Sequence, residues 1–354
     1  MVDYIGVERV KELLGRIGPA QFIAGLADEI EADYRRWRAF DTSPRHATHS
    51  SVGVIELMPI SDGRQYSFKY VNGHPKNTAN GLLTVTAFGV LADVDSGYPV
   101  LLAELTLTTA LRTAAMSALA ARWMARTPSR VMALIGNGAQ SEFQALAFHH
   151  LLGVRSLRLY DTDPAATTKL ERNLARLGLP GLDVVRCAST REAVRGADIV
   201  TTVTADKRNA IVLTPDMIEP GMHLNAVGGD CPGKTELHRE ILERPDARVV
   251  VEYEPQSRVE GEVQQLDPAF PVIEFADVVS GAVRVRNDAR DVTIFDSVGF
   301  ALEDFSALRY VERLHRESGG ARPQLDLVPT MSDPKDLFGE LASPAPTRAR
   351  VRAV

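Results

Sequence analysis

The chain has 354 residues, of which 45% are hydrophobic and 24% charged, and this much apolar surface excludes disorder over most of its length. Its 40 basic and 46 acidic residues give a formal net charge of −6, which argues against binding to nucleic acid or to a membrane surface. No apolar run reaches the roughly 18 residues that a membrane-spanning helix needs.

The first third of the chain changes from a helical to a strand periodicity. In residues 6–38 apolar side chains recur at steps of three and four, which predicts helix. Strands are predicted next at 52–58, 65–71, 83–94 and 99–103, with a hairpin turn at 95–97. Residues 106–124, rich in Ala and Leu, return to helix. This segment therefore predicts a helical start, a mostly antiparallel sheet and a closing helix.

From Arg130 onward, short apolar strands alternate with helices. The strands are predicted at 131–135, 156–160, 183–187, 199–203, 223–227, 249–252 and 292–295. Strands and helices that alternate at roughly 25-residue intervals indicate a parallel sheet covered by helices, as in a Rossmann-type α/β domain. A long helix is predicted at 299–315, and the Pro- and Arg-containing tail at 342–352 is expected to be loose.

A glycine-rich loop, Gly136-Asn137-Gly138-Ala139-Gln140-Ser141, follows the first of these strands and precedes a helix. In that context Gly136 allows a tight turn, and Gly138 lets the backbone approach a pyrophosphate at the helix N-terminus. Asp161 ends the next strand, where a carboxylate accepts the ribose hydroxyls of NAD and repels the 2′-phosphate of NADP. Ser141 stands where a third Gly or Ala is usual. The combination predicts an NAD site, and the competing interpretation is a structural glycine turn.

A second loop, residues 228–234, has the sequence GGDCPGK and follows another predicted parallel strand. Ligands of such sheets bind beyond the carboxyl ends of the strands, so Asp230 and Lys234 would lie near a cofactor. The alternative is a solvated turn in which both charges are incidental. Cys231 is more typical of a small buried thiol than of a nucleophile.

Charged residues also occur in the first segment, within stretches that are otherwise apolar or hydroxylic. A cation in such a setting is either exposed or paired with an acid, or it belongs to a clamp for the carboxylate of an amino acid. His46 and His49 are three residues apart, but no further ligands complete a metal site, and we predict none. The charged residues of this set are Arg45, Glu56, Lys69 and Arg112, and the clamp would use the two Arg and the Lys.

Several segments resemble the ornithine cyclodeaminase/mu-crystallin family. The resemblance covers about residues 3–320, and the segments at 69–75 and 229–237 are its most specific part. The segments are KYVNGHP (69–75), GVLADVD (89–95), ELTLTTALRT (104–113), GNGAQSEFQ (136–144), GDCPGKTEL (229–237), EGE (260–262) and FDSVG (295–299).

The resemblance implies a homodimer with two domains in each chain. Residues 1–118 together with 303–354 would form a substrate-binding and dimerisation domain, and residues 119–302 an NAD-binding Rossmann domain. Arg45, Lys69 and Arg112 would hold the substrate carboxylate, Glu56 would lie near the far amine, and Val298 would line the pocket. Asp230 would be the acid/base group. Contacts to NAD would come from Thr84, Arg112, Ala139, Gln140, Asp161, Thr202, Lys234 and Ser297, in addition to the loop glycines.

The activity implied by the resemblance is the conversion of L-ornithine to L-proline and ammonia, in which a hydride leaves the α-carbon and later returns to it. Lysine as the substrate is one alternative, since one methylene changes binding by only about 1–3 kcal/mol. A ketimine reductase or amino-acid dehydrogenase that exchanges free NAD(P)H is another. A non-catalytic binding protein is a third, and the retention of Asp230 and Lys234 argues against it.

The compartment is predicted from processing signals and cysteine content. The N-terminal sequence MVDYIGVERVKELL has no basic stretch followed by an apolar core, so we expect no signal peptide. Two cysteines are too few for a disulfide framework. Both features are typical of a reduced, cytoplasmic protein.

Overall fold

The computed structural model describes residues 1–205, 210–319 and 323–339, whose strands form two sheets. The strands in chain order are β1 (Val2–Ile5), β2 (Asp41–Thr42), β3 (His46–His49), β4 (Val54–Ser61), β5 (Gln65–Gly73), β6 (Val85–Asp93), β7 (Pro99–Glu104), β8 (Val131–Ile135), β9 (Ser156–Tyr160), β10 (Asp183–Arg186), β11 (Ile199–Thr202), β12 (His223–Ala226), β13 (Ala247–Val251), β14 (Ile273–Glu274), β15 (Val292–Asp296) and β16 (Gln324–Leu325).

Helices cover both sheets. They are α1 (Val7–Ile17), α2 (Pro19–Arg35), α3 (Thr106–Met124), α4 (Ser141–Leu152), α5 (Pro164–Leu177), α6 (Thr190–Val194), α7 (Arg239–Leu242), α8 (Glu254–Glu260), α9 (Phe275–Val279) and α10 (Ala301–Glu317). Short 3₁₀ turns lie at Trp37–Ala39, Pro75–Asn80, Pro215–Met217 and Glu262–Gln265. Among the helices of the described ranges, none is both long and apolar enough to cross a membrane.

The first sheet has the order β16-β1-β7-β6-β5-β4-β2, with β3 paired to β4. Its pairs are antiparallel apart from β1 with β7. Alternation along β4 and β5 buries one face, so Met58 and Lys69 are opposite each other on the inner side. The predicted mostly antiparallel sheet is therefore confirmed.

The second sheet has the order β10-β9-β8-β11-β12-β15-β13-β14, and all its pairs are parallel. The chain moves outward from β8 in one direction through β9 and β10, and in the other through β11 and β12. The order therefore reverses beside β8, the place where doubly wound sheets bind ligands. The predicted fold class, a Rossmann-type sheet joined to an α+β domain, is confirmed.

Two helices connect the sheets. Helix α3 packs against α2 on one side and against α4, β12 and β15 on the other, and the amide of Gln144 on α4 donates to Ser117 on α3 at 3.1 Å. Helix α10 follows the parallel sheet in the chain but packs on α2, α3 and strands β4–β6. Both helices therefore carry side chains to the region between the sheets. The domain limits expected from the sequence stay a prediction.

The helices and strands predicted from the sequence differ from those of the structure in two ways. The single helix predicted over 6–38 is two helices, because Gly18 has a φ of 86° and Pro19 begins α2. The short strands β1, β2, β3, β14 and β16 were not predicted, since two to four residues show too little alternation. The tail predicted to be loose, at 342–352, lies outside the described residues.

Candidate active site

The glycine loop lies at the carboxyl end of β8. Gly136 has a φ of 95°, and a Cβ added there would lie 2.7 Å from the carbonyl oxygen of Val203, so the position requires glycine. Gly138 is exposed, and a Cβ added to it would meet no atom within 4 Å. The backbone at Gly138 therefore faces open space, and α4 begins three residues later with its free amide groups.

Asp161 follows β9 and fixes this loop. Its Oδ2 accepts the backbone N–H of Asn137 at 2.6 Å, and its Oδ1 accepts that of Asp163 at 2.8 Å. A carboxylate has about four acceptor positions, so each oxygen can accept a further hydroxyl. Thr202 Oγ1 and Gln140 Oε1 are buried at the same edge without a hydrogen-bond partner in the described part of the chain. These residues fit the phosphates and ribose of a dinucleotide such as NAD.

The loop after β12 carries Asp230 and Lys234 with different exposure. Lys234 is 3% exposed, and its Nζ donates to the carbonyl of Thr204 at 2.9 Å. Asp230 is 52% exposed, and its Oδ1 is 3.5 Å from Lys234 Nζ. The lysine is therefore held inside while the aspartate faces the space above the sheet.

Three buried carboxylates, which we call the anchoring carboxylates, hold this edge by accepting backbone N–H groups. Glu236 accepts Gly228 N at 3.0 Å and Thr204 N at 2.8 Å. Glu262 accepts Glu236 N at 2.7 Å and Leu237 N at 3.0 Å, and Asp296 accepts Glu262 N at 2.8 Å and Val263 N at 3.0 Å.

Burial changes the acidity of two of these carboxylates. It raises the pKa of Asp296 to about 7, and it raises that of Glu262 well above the usual range with help from the charge of Asp296. Sequence reasoning did not identify any of the three. Their hydrogen bonds reach between separate loops, and no spacing pattern reports such contacts.

The inner face of the first sheet brings two cations to one aspartate. Lys69 Nζ on β5 is 2.6 Å from Asp304 Oδ2, and Arg112 Nε on α3 is 3.0 Å from Asp304 Oδ1. Arg112 Nη1 also donates to Glu303 at 2.6 Å. Lys69 is 1% exposed and Arg112 5% exposed, so the interpretation of exposed cations is wrong and both are paired with acids.

Arg45 completes a set of three buried cations, which we call the cation group (Arg45, Lys69 and Arg112). Its Nη1 is 3.0 Å from Glu56 Oε2, and its Nε is 3.1 Å from Glu260 Oε2. Burial raises the pKa of Glu260 to about 7, although the charge of Arg45 opposes this. The charge of Asp230 acts on both Arg45 and Glu260, which places it beside the same group.

Hydrogen bonds with Arg45 and Glu252 hold the loop after β15 beside the cation group. Arg45 Nη2 donates to the carbonyl of Val298 at 2.6 Å. Glu252 accepts the Ser297 hydroxyl at 2.7 Å and the Val298 N–H at 3.0 Å. Burial raises the pKa of Glu252 and also that of Glu303, with which Glu252 shares a hydrogen bond. The carboxyl ends of β12 and β15 are adjacent, so this loop lies next to the one that carries Asp230.

Buried cations and a half-exposed aspartate lie together at the carboxyl edge of a Rossmann-type sheet, and we call this group of residues the chamber. Such a group can hold an amino acid beside a dinucleotide. Residues 8–318 match the model of the ornithine cyclodeaminase/mu-crystallin family. The chain belongs to this family.

Known relatives and solved structures are similar to this chain along almost its whole length. The chain is 58% identical over 341 residues to an ornithine cyclodeaminase of Brucella suis, covering 96% of this chain and 94% of that protein. A solved lysine cyclodeaminase that recognises L-lysine, L-ornithine and L-2,4-diaminobutyric acid superposes with a TM-score of 0.86 at 30% identity, covering 94% and 98% of the two chains. An archaeal alanine dehydrogenase dimer with bound NAD superposes with a TM-score of 0.81 at 27% identity, covering 91% and 99%.

The structure of this family member brings most of the predicted site residues together. The cation group, Glu56, Asp230 and Val298 lie around one chamber, and the glycine loop, Asp161, Thr202, Lys234 and Ser297 lie along the adjoining sheet edge. Thr84 differs, because its carbonyl accepts from His74 within the antiparallel sheet, and its contact with a cofactor stays a prediction. His46 and His49 are exposed on β3. No metal-binding cluster of His, Cys, Asp or Glu occurs among the described residues.

Apart from Glu56, sequence reasoning missed the acids that pair with the cations. Glu303 and Asp304 lie in the first turn of α10, where acidic residues are usual because they complement the helix dipole. Glu252 and Glu260 lie one residue after β13 and at the last residue of α8. The EGE segment at 260–262 was recognised only as part of the family resemblance.

Proposed function

We propose that the chain converts L-ornithine to L-proline and ammonia, with NAD as a tightly bound cofactor that is regenerated in every cycle. The observation that carries this function is the burial of Arg45, Lys69 and Arg112 beside Asp230, at the carboxyl edge of a Rossmann-type sheet. The 58% identity to an ornithine cyclodeaminase over almost the whole chain supports the choice of substrate.

The NAD site would lie along the carboxyl ends of β8, β9, β11 and β15. Bound NAD would supply the chemistry of accepting a hydride from the α-carbon and returning it. The glycine loop would cradle the pyrophosphate, and Asp161 would accept the ribose hydroxyls. The proposed contacts are Thr84, Arg112, Gly136, Gly138, Ala139, Gln140, Asp161, Thr202, Lys234 and Ser297.

The substrate would be held by charge at both ends. The cation group would bind its α-carboxylate, and charge-assisted hydrogen bonds to guanidinium and ammonium groups suit that anion. Glu56 would face the δ-amine, and its Oε1 is buried without a hydrogen-bond partner among the described residues. Val298 would line the pocket between the two ends.

Asp230 would move the proton that the reaction requires. A hydride cannot leave an α-carbon whose amine is protonated, so a base must first remove that proton. Asp230 projects from a loop fixed by Glu236 and Lys234, and its side chain is half exposed toward the chamber. It is therefore held near the substrate while its carboxylate can still accept a proton.

The outer face of the first sheet supports a homodimer. Leu57, Tyr70 and Phe88 form one cross-strand row on β4–β6, in which Leu57 is 45% and Phe88 42% exposed, and the rings of Tyr70 and Phe88 stack at 5.1 Å. The next row contains Phe68 and Val90. A contiguous apolar face of this kind marks a protein contact. We expect Phe88→Asp to convert a dimer into a monomer in sedimentation equilibrium, and a monomeric wild type would overturn the dimer.

Isotope labelling tests the internal redox cycle. Ornithine deuterated at the α-carbon should give proline that keeps deuterium there, in ordinary water and with unlabelled NAD in excess. Proline with hydrogen at that carbon, or NADH that accumulates in step with ammonia, would instead indicate an amino-acid dehydrogenase that exchanges its cofactor. Parallel reactions with lysine would identify a lysine cyclodeaminase by its six-membered ring product.

A further inference from the structure

Asp304 occupies a place that the proposed reaction does not use directly. It lies in the first turn of α10 and is 1% exposed. Both of its carboxylate oxygens face members of the cation group, Oδ2 at 2.6 Å from Lys69 Nζ and Oδ1 at 3.0 Å from Arg112 Nε. Two cations on different elements, β5 and α3, therefore share one aspartate.

Glu303 contacts the same arginine and lies beside a second buried acid, Glu252. Burial and the neighbouring charge of Glu252 raise the pKa of Glu303 well above its usual range, and the two carboxyl groups share a hydrogen bond. The contact with Arg112 opposes this rise in the pKa of Glu303. Asp304 differs from Glu303 because it contacts both Lys69 and Arg112.

The charged groups around Lys69 act in opposite directions. Its pKa is lowered to about 8 by burial and by the charges of Arg112 on α3 and Arg45 before β3, while Asp304 on α10 opposes this change. Removal of the Asp304 charge would leave Lys69 facing two guanidinium groups. The lysine would then lose its proton at a lower pH.

We propose that Asp304 is a positioning residue for recognition of the substrate carboxylate, because it keeps Lys69 charged and orients the guanidinium of Arg112. This role rests on the proposed function, in which both cations bind that carboxylate.

The test measures binding of pyrrole-2-carboxylate to the NAD-loaded chain between about pH 6 and about pH 9.5. The probe is a five-membered ring acid whose nitrogen does not titrate in this range. Wild-type affinity should weaken as the pH rises through the pKa of Lys69, about 8. Asp304→Asn should weaken binding about tenfold or more at neutral pH, and the further loss should begin at a lower pH than in the wild type.

Two variants serve as controls. Lys69→Arg should remove this pH dependence, since a guanidinium keeps its charge throughout the range. Asp33→Asn changes another buried aspartate, which pairs with Arg309 at 2.9 Å and accepts from Ser306 of the same helix at 2.7 Å. It should keep the wild-type affinity and pH dependence, even though it lowers stability.

Each result has a distinct meaning. An Asp304→Asn chain with wild-type affinity and pH dependence would overturn the role of Asp304, while an inactive wild type would overturn the proposed function itself. An active wild type that does not bind the probe would overturn the carboxylate clamp and this inference with it. If Asp304→Asn does not fold, Asp304→Glu keeps the charge but displaces it, so affinity should fall while the pH dependence stays. Wild-type affinity in that variant would also overturn the role.

Discussion

The two sheets hold the charges of the site in different ways. On the parallel sheet the anchoring carboxylates accept backbone N–H groups, so they fix the course of the loops. On the antiparallel sheet the cation group pairs with side chains, so its charge depends on the protonation of its partners. One side of the chamber is therefore fixed by hydrogen bonds to the backbone, and we call it the frame. The other side, which we call the receptor, holds paired cations whose binding strength can change with pH.

The largest effect is expected on the frame, where Asp230 projects from an anchored loop. Asp230→Ala should lower kcat by about 10²–10⁴, the usual contribution of a general base. The affinity for NAD should stay close to wild type, because Glu236 and Lys234 still hold the loop. Asp230→Asn keeps the shape and should be equally slow. Near-normal turnover in either variant would contradict the assignment.

On the receptor side, loss of a cation should act mainly on substrate binding. Lys69→Ala and Arg112→Ala should each raise the KM for ornithine about tenfold or more, since a hydrogen bond to a charged group is worth about 1.5–3 kcal/mol. Each also leaves Asp304 with an unpaired side, so the melting temperature should fall.

Arg309→Ala is the matched control for these two variants, because Arg309 pairs with Asp33 away from the chamber. It should lower stability slightly and leave KM unchanged. An unchanged KM in both Lys69→Ala and Arg112→Ala would mean that these cations only support the fold.

The sequence also predicted the residues of the frame more completely than those of the receptor. The glycine loop, Asp161 and the loop at 228–234 were found because strand, turn and helix follow one another directly in the chain. Arg112 and Asp304 are 192 residues apart, and their pairing depends on the return of α10 to the first sheet. No local pattern contains that return, so Arg112 was identified but its acidic partners Glu303 and Asp304 were not.

A smaller effect is expected for Asp161→Ser, which tests whether the frame also selects the cofactor. The affinity for NAD should fall about tenfold through loss of charged hydrogen bonds, and discrimination against NADP should relax because the repulsion is gone. Asp163→Ser is the control, since Asp163 only caps α5 through Ala165 N, and Ser is also a good cap. Titrations with both nucleotides measure the ratio, and an unchanged NAD/NADP ratio in Asp161→Ser would contradict the role of Asp161.

The smallest expected effect is on the free energy of unfolding, whose pH dependence should differ between the frame and the receptor. Glu260 of the receptor has a folded pKa of about 7, above the ordinary value of 4.5 for this side chain, so its contribution to stability is present below about pH 4.5 and is lost as the pH rises through 7. Glu260→Gln does not titrate, so its free energy of unfolding should rise relative to wild type by about 1 kcal/mol or more between pH 5 and about pH 8. Glu262→Gln, on the frame, should instead destabilise at every pH, because an amide nitrogen cannot accept the N–H of Glu236 or Leu237. Denaturant unfolding at several pH values measures both differences. A Glu260→Gln difference that does not change with pH would remove the distinction between frame and receptor.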